Sequence, residues 1–247
     1  MSPALGEFVG TMLLIILGDG VVANVLLSKS KGQGSGWMVI ATGWGFAVFL
    51  GVAAVARVSG AHLNPAVSVG LAAAGLFDWN LVPGYIAAQM LGAFAGAIVV
   101  WLAYLPHWEV TEDGEAKRAV FCTAPAIRNF PANFLCEVIG TFVLMFGILA
   151  MKQAFEPSPT GASIPMNLGA LGAIPVAILV WAVGLSLGGQ TGYAINPARD
   201  LGPRIAHAIL PIPGKTTNDW AYSGIPVCAP LVGAALAAIA YRALGKF

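Results

Sequence analysis

Charge is what this chain has least of. Only 9% of its 247 residues are Asp, Glu, Lys or Arg, and twelve bases nearly balance eleven acids, for a net charge of +1. That balance offers no basic face for nucleic acid and no acidic face for a polycation. Cysteine is almost as scarce. Cys122, Cys136 and Cys228 stand far apart with no CxxC pair, so neither a disulfide framework nor a thiolate metal site is indicated. His62, His107 and His207 do not cluster in sequence, and His107 and His207 are expected at the membrane interface. No phosphate-cradling glycine loop, no nucleophile triad and no polar stretch long enough for a soluble domain can be found. An enzyme and a nucleotide-driven pump therefore lack the residues they need, and no metal or organic cofactor is expected.

What the chain has is hydrocarbon. Apolar residues make up 58%, mean hydropathy is +0.81, and the long apolar runs approach the ~20 residues that cross a bilayer. Gly, at 31 residues, suits close helix–helix approach in lipid. The first run has no Lys or Arg before Lys29 and is interrupted by Glu7 and Asp19, so it reads as a retained spanning helix rather than a signal peptide. Six spans are predicted at about 4–27, 37–57, 81–104, 133–152, 171–187 and 222–244. Within the third, Gly84, Ala88, Gly92 and Gly96 form a small-residue stripe for tight packing. Residues 105–132 are predicted as the longest polar connection, and Glu156 to Gly169 as a loop.

One short stretch occurs twice. Ser59-Gly60-Ala61-His62-Leu63-Asn64-Pro65-Ala66 is echoed by Thr191-Gly192-Tyr193-Ala194-Ile195-Asn196-Pro197-Ala198-Arg199-Asp200, the asparagines standing 132 positions apart. Asn is a good N-cap, and Pro is harmless at the first helical position. Each copy therefore predicts an irregular approach followed by a short helix, about 65–74 and 197–209. At 1.5 Å per residue the first reaches about 15 Å, half a membrane. The halves also match at Leu5-Gly6-Glu7-Phe8-Val9-Gly10-Thr11 and Leu135-Cys136-Glu137-Val138-Ile139-Gly140-Thr141. Repeats at about 4–104 and 133–244, each with three crossings, must be inverted relative to one another. The expected fold is an all-α membrane protein, one domain over 1–247, with six transmembrane helices and two re-entrant half helices. Sites in such folds lie near the midplane.

Two half-helix N-termini facing each other place about +0.5 charge each at the membrane centre, a field that repels cations and hydronium. The Asn64 and Asn196 amides could donate to a neutral hydroxyl there. Irregular backbone at that depth must be buried or line a cavity, so carbonyls of Gly60, Ala61, His62, Ala194 and Ile195 are candidates for a ladder of acceptors. Glu7 and Glu137 have two open roles, proton relay or structural acceptors holding loop N–H groups. The rule that buried polar groups are paired favours the second. Arg199, a cation near a helix N-terminus where the other repeat has Val67, implies a task. Asp200 and Arg204, four apart, should pair.

With these residues in place, the chain resembles the aquaporin family over its whole length, and more narrowly its aquaglyceroporin branch, the bacterial glycerol facilitators. Asp200 directly after Arg199, with basic Arg204 four further on, marks that branch. By matching position, the resemblance implies an aromatic/arginine selectivity filter of Trp44, Gly184, Tyr193 and Arg199. It further implies a homotetramer in the cell membrane with both termini cytoplasmic, passing glycerol, water and other small neutral solutes and no ions. The Tyr193 hydroxyl, unusual where Phe is common, is expected to be tied to the protein. Water-selective members carry His where Gly184 stands, so a water-only channel is the alternative. A coupled transporter would need ion ligands and a gate that nothing in the chain suggests. Loop charges run against the implied orientation: Lys29, Lys31, Lys117, Arg118, Arg128 and Lys215 would lie outside, and Lys152, Arg242 and Lys246 inside.

Overall fold

In the computed structural model, which describes residues 1–154 and 169–245, six helices are long and apolar enough to cross a bilayer. The expected loop 156–168 and Lys246 lie outside the described residues. The helices run α1 (Pro3–Leu26), α2 (Trp37–Ser59), α3 (Pro65–Ala73), α4 (Val82–Ala103), α5 (Leu105–Val110), α6 (Gly114–Phe121), α7 (Phe130–Ala154), α8 (Ile174–Leu187), α9 (Pro197–Ile209) and α10 (Trp220–Ala243). The spans are α1, α2, α4, α7, α8 and α10, the fourth and eighth helices each entered through a short 3₁₀ turn. At 24 residues α1 extends about 36 Å, while the nine of α3 reach only about 14 Å. The half helices are the re-entrant pair.

The outer surface of the bundle carries Phe46, Leu91, Ile178, Leu236 and Ile239, all largely exposed. A belt of that kind would be costly in water and is what hydrocarbon requires. The protein is a multi-pass membrane protein.

Inside, α1 packs on α2 and α4, and α7 on α8 and α10, so each half repeats the same pairing. The closest approaches fall at matched places. A Cβ on Gly92 of α4 would lie 2.3 Å from the Phe8 carbonyl oxygen of α1. One on Gly233 of α10 would lie 2.4 Å from the Val138 carbonyl oxygen of α7. Any side chain there would force the helices apart. Gly96 is equally tight, whereas Gly84, the first member of the predicted stripe, meets nothing within 4 Å. It sits at the wide end of the α1–α4 contact.

One expectation needs correction. Residues 105–132 are no plain connection: α5 and α6 form within them, α6 capped by Asp113 Oδ1 accepting from Glu115 and Ala116 N–H at 2.8 and 3.2 Å. Both helices are too short and polar for apolar periodicity to reveal. His207 is fully buried within the protein, its Nδ1 2.6 Å from Asn218 Oδ1 and its ring 5.5 Å from that of Phe121. His107, half-buried, meets the Ser28 carbonyl at 2.9 Å through Nδ1.

Candidate functional site

The two half helices begin nose to nose. Asn64 and Asn196 are both extended, and each caps its own helix. Asn64 Oδ1 accepts from Ala66 N–H at 2.8 Å, and Asn196 Oδ1 accepts from Ala198 and Arg199 N–H at 3.0 and 3.3 Å. Each side-chain amide then crosses to the other half: Asn64 Nδ2 donates to the Ile195 carbonyl and Asn196 Nδ2 to the Leu63 carbonyl, both at 2.9 Å. One hydrogen of each amide is used in this exchange. Pro65 and Pro197 start the helices, and Ala66 and Ala198, with no exposed surface, fit where nothing larger would.

The approaches are strained alike. Ala61 and Leu63 have φ of 51° and 53°, and Tyr193 and Ile195 of 36° and 41°, a left-handed backbone costing about 1–3 kcal/mol per residue unless its surroundings fix it. Two buried carboxylates fix it. Glu7 accepts from His62 N–H at 2.9 Å, Leu63 N–H at 2.7 Å, Ser59 Oγ at 2.6 Å and Gln89 Nε2 at 2.7 Å. Glu137 accepts from Ala194 N–H at 2.9 Å, Ile195 N–H at 2.8 Å and Thr191 Oγ1 at 2.7 Å. His62 itself turns its ring to Ser68 Oγ, 3.0 Å from Nδ1, and packs on Phe77 and Tyr85.

Arg199 leaves α9 towards Trp44, its guanidinium carbon 4.2 Å from the indole centroid. Tyr193 stacks edge-on to Trp37, centroids 5.7 Å apart. Its ring fills the place of a side chain on α8: a Cβ on Gly184 would fall 2.7 Å from Tyr193 Cζ. Gly184 thus seats Tyr193 and, through its carbonyl, accepts from Trp37 Nε1 at 2.9 Å, but it does not itself line the cavity. The Tyr193 hydroxyl is not tied to the protein as expected. It has no hydrogen-bond partner among the described residues, and neither do Trp44 Nε1 and Arg199 Nη1.

These groups surround one cavity of about 380 Å³. Trp44, Asn64, Asn196, Tyr193, Arg199 and residues 60–63, 194 and 195 line it, along with apolar Leu14, Val48, Val52, Leu144, Ile148 and Val180. The cavity wall is mostly hydrocarbon, with the side chains of Asn64, Asn196 and Arg199 among its polar members. Asp200 and Arg204 lie behind it. Arg204 Nε and Nη2 donate to Asp200 at 2.7 and 3.0 Å, Thr123 donates twice to Asp200, and Arg204 reaches the carbonyls of Thr123, Asn218 and Asp219. The pair ties two connecting segments to α9. Burial beside Asp200 pushes the Cys122 thiol up to about 12.

A chain with paired half helices clasped at two Asn-Pro-Ala starts can be compared with known proteins. The profile described as Major intrinsic protein matches residues 1–241. This chain belongs to the major intrinsic protein family. Among its relatives, a probable glycerol uptake facilitator protein of Thermotoga maritima is 59% identical over 242 residues, covering 98% of this chain and 99% of the relative. The glycerol uptake facilitator protein of Bacillus subtilis is 52% identical over 246 residues, covering 100% and 86%. Among solved structures, the aquaglyceroporin from Plasmodium falciparum superposes with a TM-score of 0.82 at 32% identity, covering 96% of this chain and 93% of that one.

In this member of the major intrinsic protein family, several residues at the site carry no mark in the sequence. Leu63 supplies the carbonyl that mirrors Ile195, and its equivalence in the repeat could have revealed it. Ser59 and Thr191 head the two copies of the repeat, so their matched hydroxyls could have been found the same way, whereas Trp37, Gln89 and Thr123 act through partners distant in sequence, which no local pattern signals.

Proposed function

We propose that this chain is a passive channel for glycerol that also passes water and other small neutral solutes and excludes protons and ions. The observation that carries the reading is the mostly apolar cavity lined by Arg199, Trp44 and Tyr193 beside the clasped half-helix starts. Glycerol has a hydrocarbon back and a hydroxyl face. The Trp44 and Tyr193 rings suit the back, and the Arg199 guanidinium, the free hydrogens of the Asn64 and Asn196 amides, and loop carbonyls suit the hydroxyls. Trp44, Tyr193 and Arg199, with Gly184 making room for the tyrosine, act as the selectivity filter.

Hydronium is opposed by Arg199 and by two facing helix starts, each about +0.5 charge. Glu7 and Glu137 act as structural acceptors. A carboxylate offers about four lone-pair sites, and Glu7 already fills four, leaving little capacity for a proton relay. The relatives named as glycerol uptake facilitators support glycerol as solute. The working unit is a homotetramer of single-domain protomers in the cell membrane, termini in the cytoplasm.

Stopped-flow light scattering on proteoliposomes, comparing glycerol with water, tests the reading. Glycerol permeability well above that of empty liposomes is expected; water permeability without it would leave a water-selective channel.

A further inference from the structure

Asp19 follows Gly18 on α1, is fully buried, and accepts no hydrogen bond through either oxygen from a described residue. A buried acid within a span is costly enough that it is seldom kept without a task. Among the described residues it has one counter-charge within 4 Å, Arg199, whose Nη1 lies 3.8 Å from Oδ1. Arg199 has no better acid to turn to, because Asp200 beside it in sequence is committed to Arg204 and Thr123. The guanidinium is therefore held between the Trp44 face and Asp19. α1 serves both sides of that clamp. A Cβ on Gly18 would fall 2.3 Å from Trp44 Cζ3, so the missing side chain seats the indole and the next residue brings the carboxylate.

The duplication sharpens the point. Aligning Glu7 with Glu137 places Asp19 opposite Leu149, and aligning the asparagines places Arg199 opposite Val67. Val67 and Leu149 are buried in one apolar cluster. The same junction is thus apolar in one half of the molecule and ionic in the other. An acid and a base stand in one half where two hydrocarbons stand in the other.

We propose that Asp19 is a positioning residue for Arg199: it holds the guanidinium against Trp44, so that a passing polyol meets donors fixed in place. The inference rests on reading Arg199 as a filter residue. Asp19→Asn keeps the shape and removes the charge. In proteoliposomes it lowers the glycerol-to-water permeability ratio by roughly fivefold, the effect of ~1 kcal/mol at a barrier. Asp19→Glu retains the charge and most of the ratio.

The coupling is read by repeating Asp19→Asn in an Arg199→Val background, where it changes the ratio little. An unchanged or raised ratio in folded Asp19→Asn, or an equal loss in both backgrounds, overturns the inference while leaving the filter reading intact. A wild-type ratio in Arg199→Val sinks the filter reading, and the inference with it. If Asp19→Asn alone fails to fold because the arginine is stranded, Asp19→Leu combined with Arg199→Val restores the folded yield by recreating the apolar junction. Failure to recover counts against the pairing.

Discussion

Tyr193 lines the cavity, and its buried hydroxyl has no hydrogen-bond partner among the described residues; a buried polar group left alone costs about 1–3 kcal/mol. A solute oxygen passing at Trp44 and Arg199 can meet that need. Tyr193→Phe keeps the ring that Gly184 seats and removes only the hydroxyl. The glycerol-to-water permeability ratio is expected to change roughly fivefold, again ~1 kcal/mol at a barrier. An unchanged ratio by stopped-flow scattering would show the ring alone selects. Glu137 stands at the opposite extreme, with every oxygen engaged. Glu137→Gln puts an amide donor against loop N–H groups. It should lower folded yield and thermal stability by about 1–3 kcal/mol without making glycerol flux depend on a pH gradient. Gradient-dependent uptake by the wild type, lost in the variant, would point to a coupled transporter. At this scale the sequence was readable where a residue announces itself by pattern: Asn before Pro, twice, with Arg199 after one copy. Asp19 looked like a mere interruption of an apolar run. Its meaning depends on a partner 180 positions away, and only the folded chain supplies it.

Half helices were legible because their start signals are local and short, whereas α5 and α6 were hidden because nothing apolar and periodic marks them. The starts of α3 and α9 depend on one another through the Asn64 and Asn196 amides. Asn196→Asp takes the donor from the Leu63 carbonyl and sets a carboxylate in the clasp. Glycerol flux should fall and proton exclusion weaken, both measurable in dye-loaded proteoliposomes; unchanged values for both would contradict the midplane argument. The segment before α10 is tied differently. Arg128 Nη1 donates to Asp219 Oδ1 at 3.0 Å, Nη2 meets Oδ2, and the guanidinium holds the Asp219 carboxyl below the usual carboxylate range. A depressed carboxylate contributes stability above its unfolded value, about 3.9, and loses it as pH falls through the folded one. The difference in thermal midpoint between wild type and Arg128→Ala in detergent should therefore be steady above about pH 5 and vanish in stronger acid. A difference that persisted there would show the contact is not ionic.

For the whole molecule, the six spans lie within a few residues of where hydropathy put them, since 20 apolar residues in a row admit few alternatives. Orientation was not legible from charge. Of the six bases that an outward face would carry, four are bonded into the fold: Lys117 to the Pro213 carbonyl, Arg118 to Glu115, Arg128 to Asp219, and Lys215 to the last carbonyls of α9 at 2.7–2.9 Å. Their number reflects loop architecture as much as insertion signals. Cysteine introduced at exposed Ser35 or Glu112 should react with an impermeant maleimide on intact cells, in a background with Cys136 and Cys228 replaced. Native Cys122, buried and held near 12, should stay silent. Reaction only after permeabilisation would reverse the assignment.

The exchange of amides and carbonyls between residues 63–64 and 195–196 also bears on how such a protein is made. While the first half stands alone in the bilayer, the Leu63 carbonyl has no asparagine to receive and Asn64 has no carbonyl to reach. Its re-entrant segment, strained and half-bonded, is incomplete until some 130 further residues have been synthesised and inserted. The clasp at the middle of the molecule can close only once Asn196, in the last quarter of the chain, has arrived.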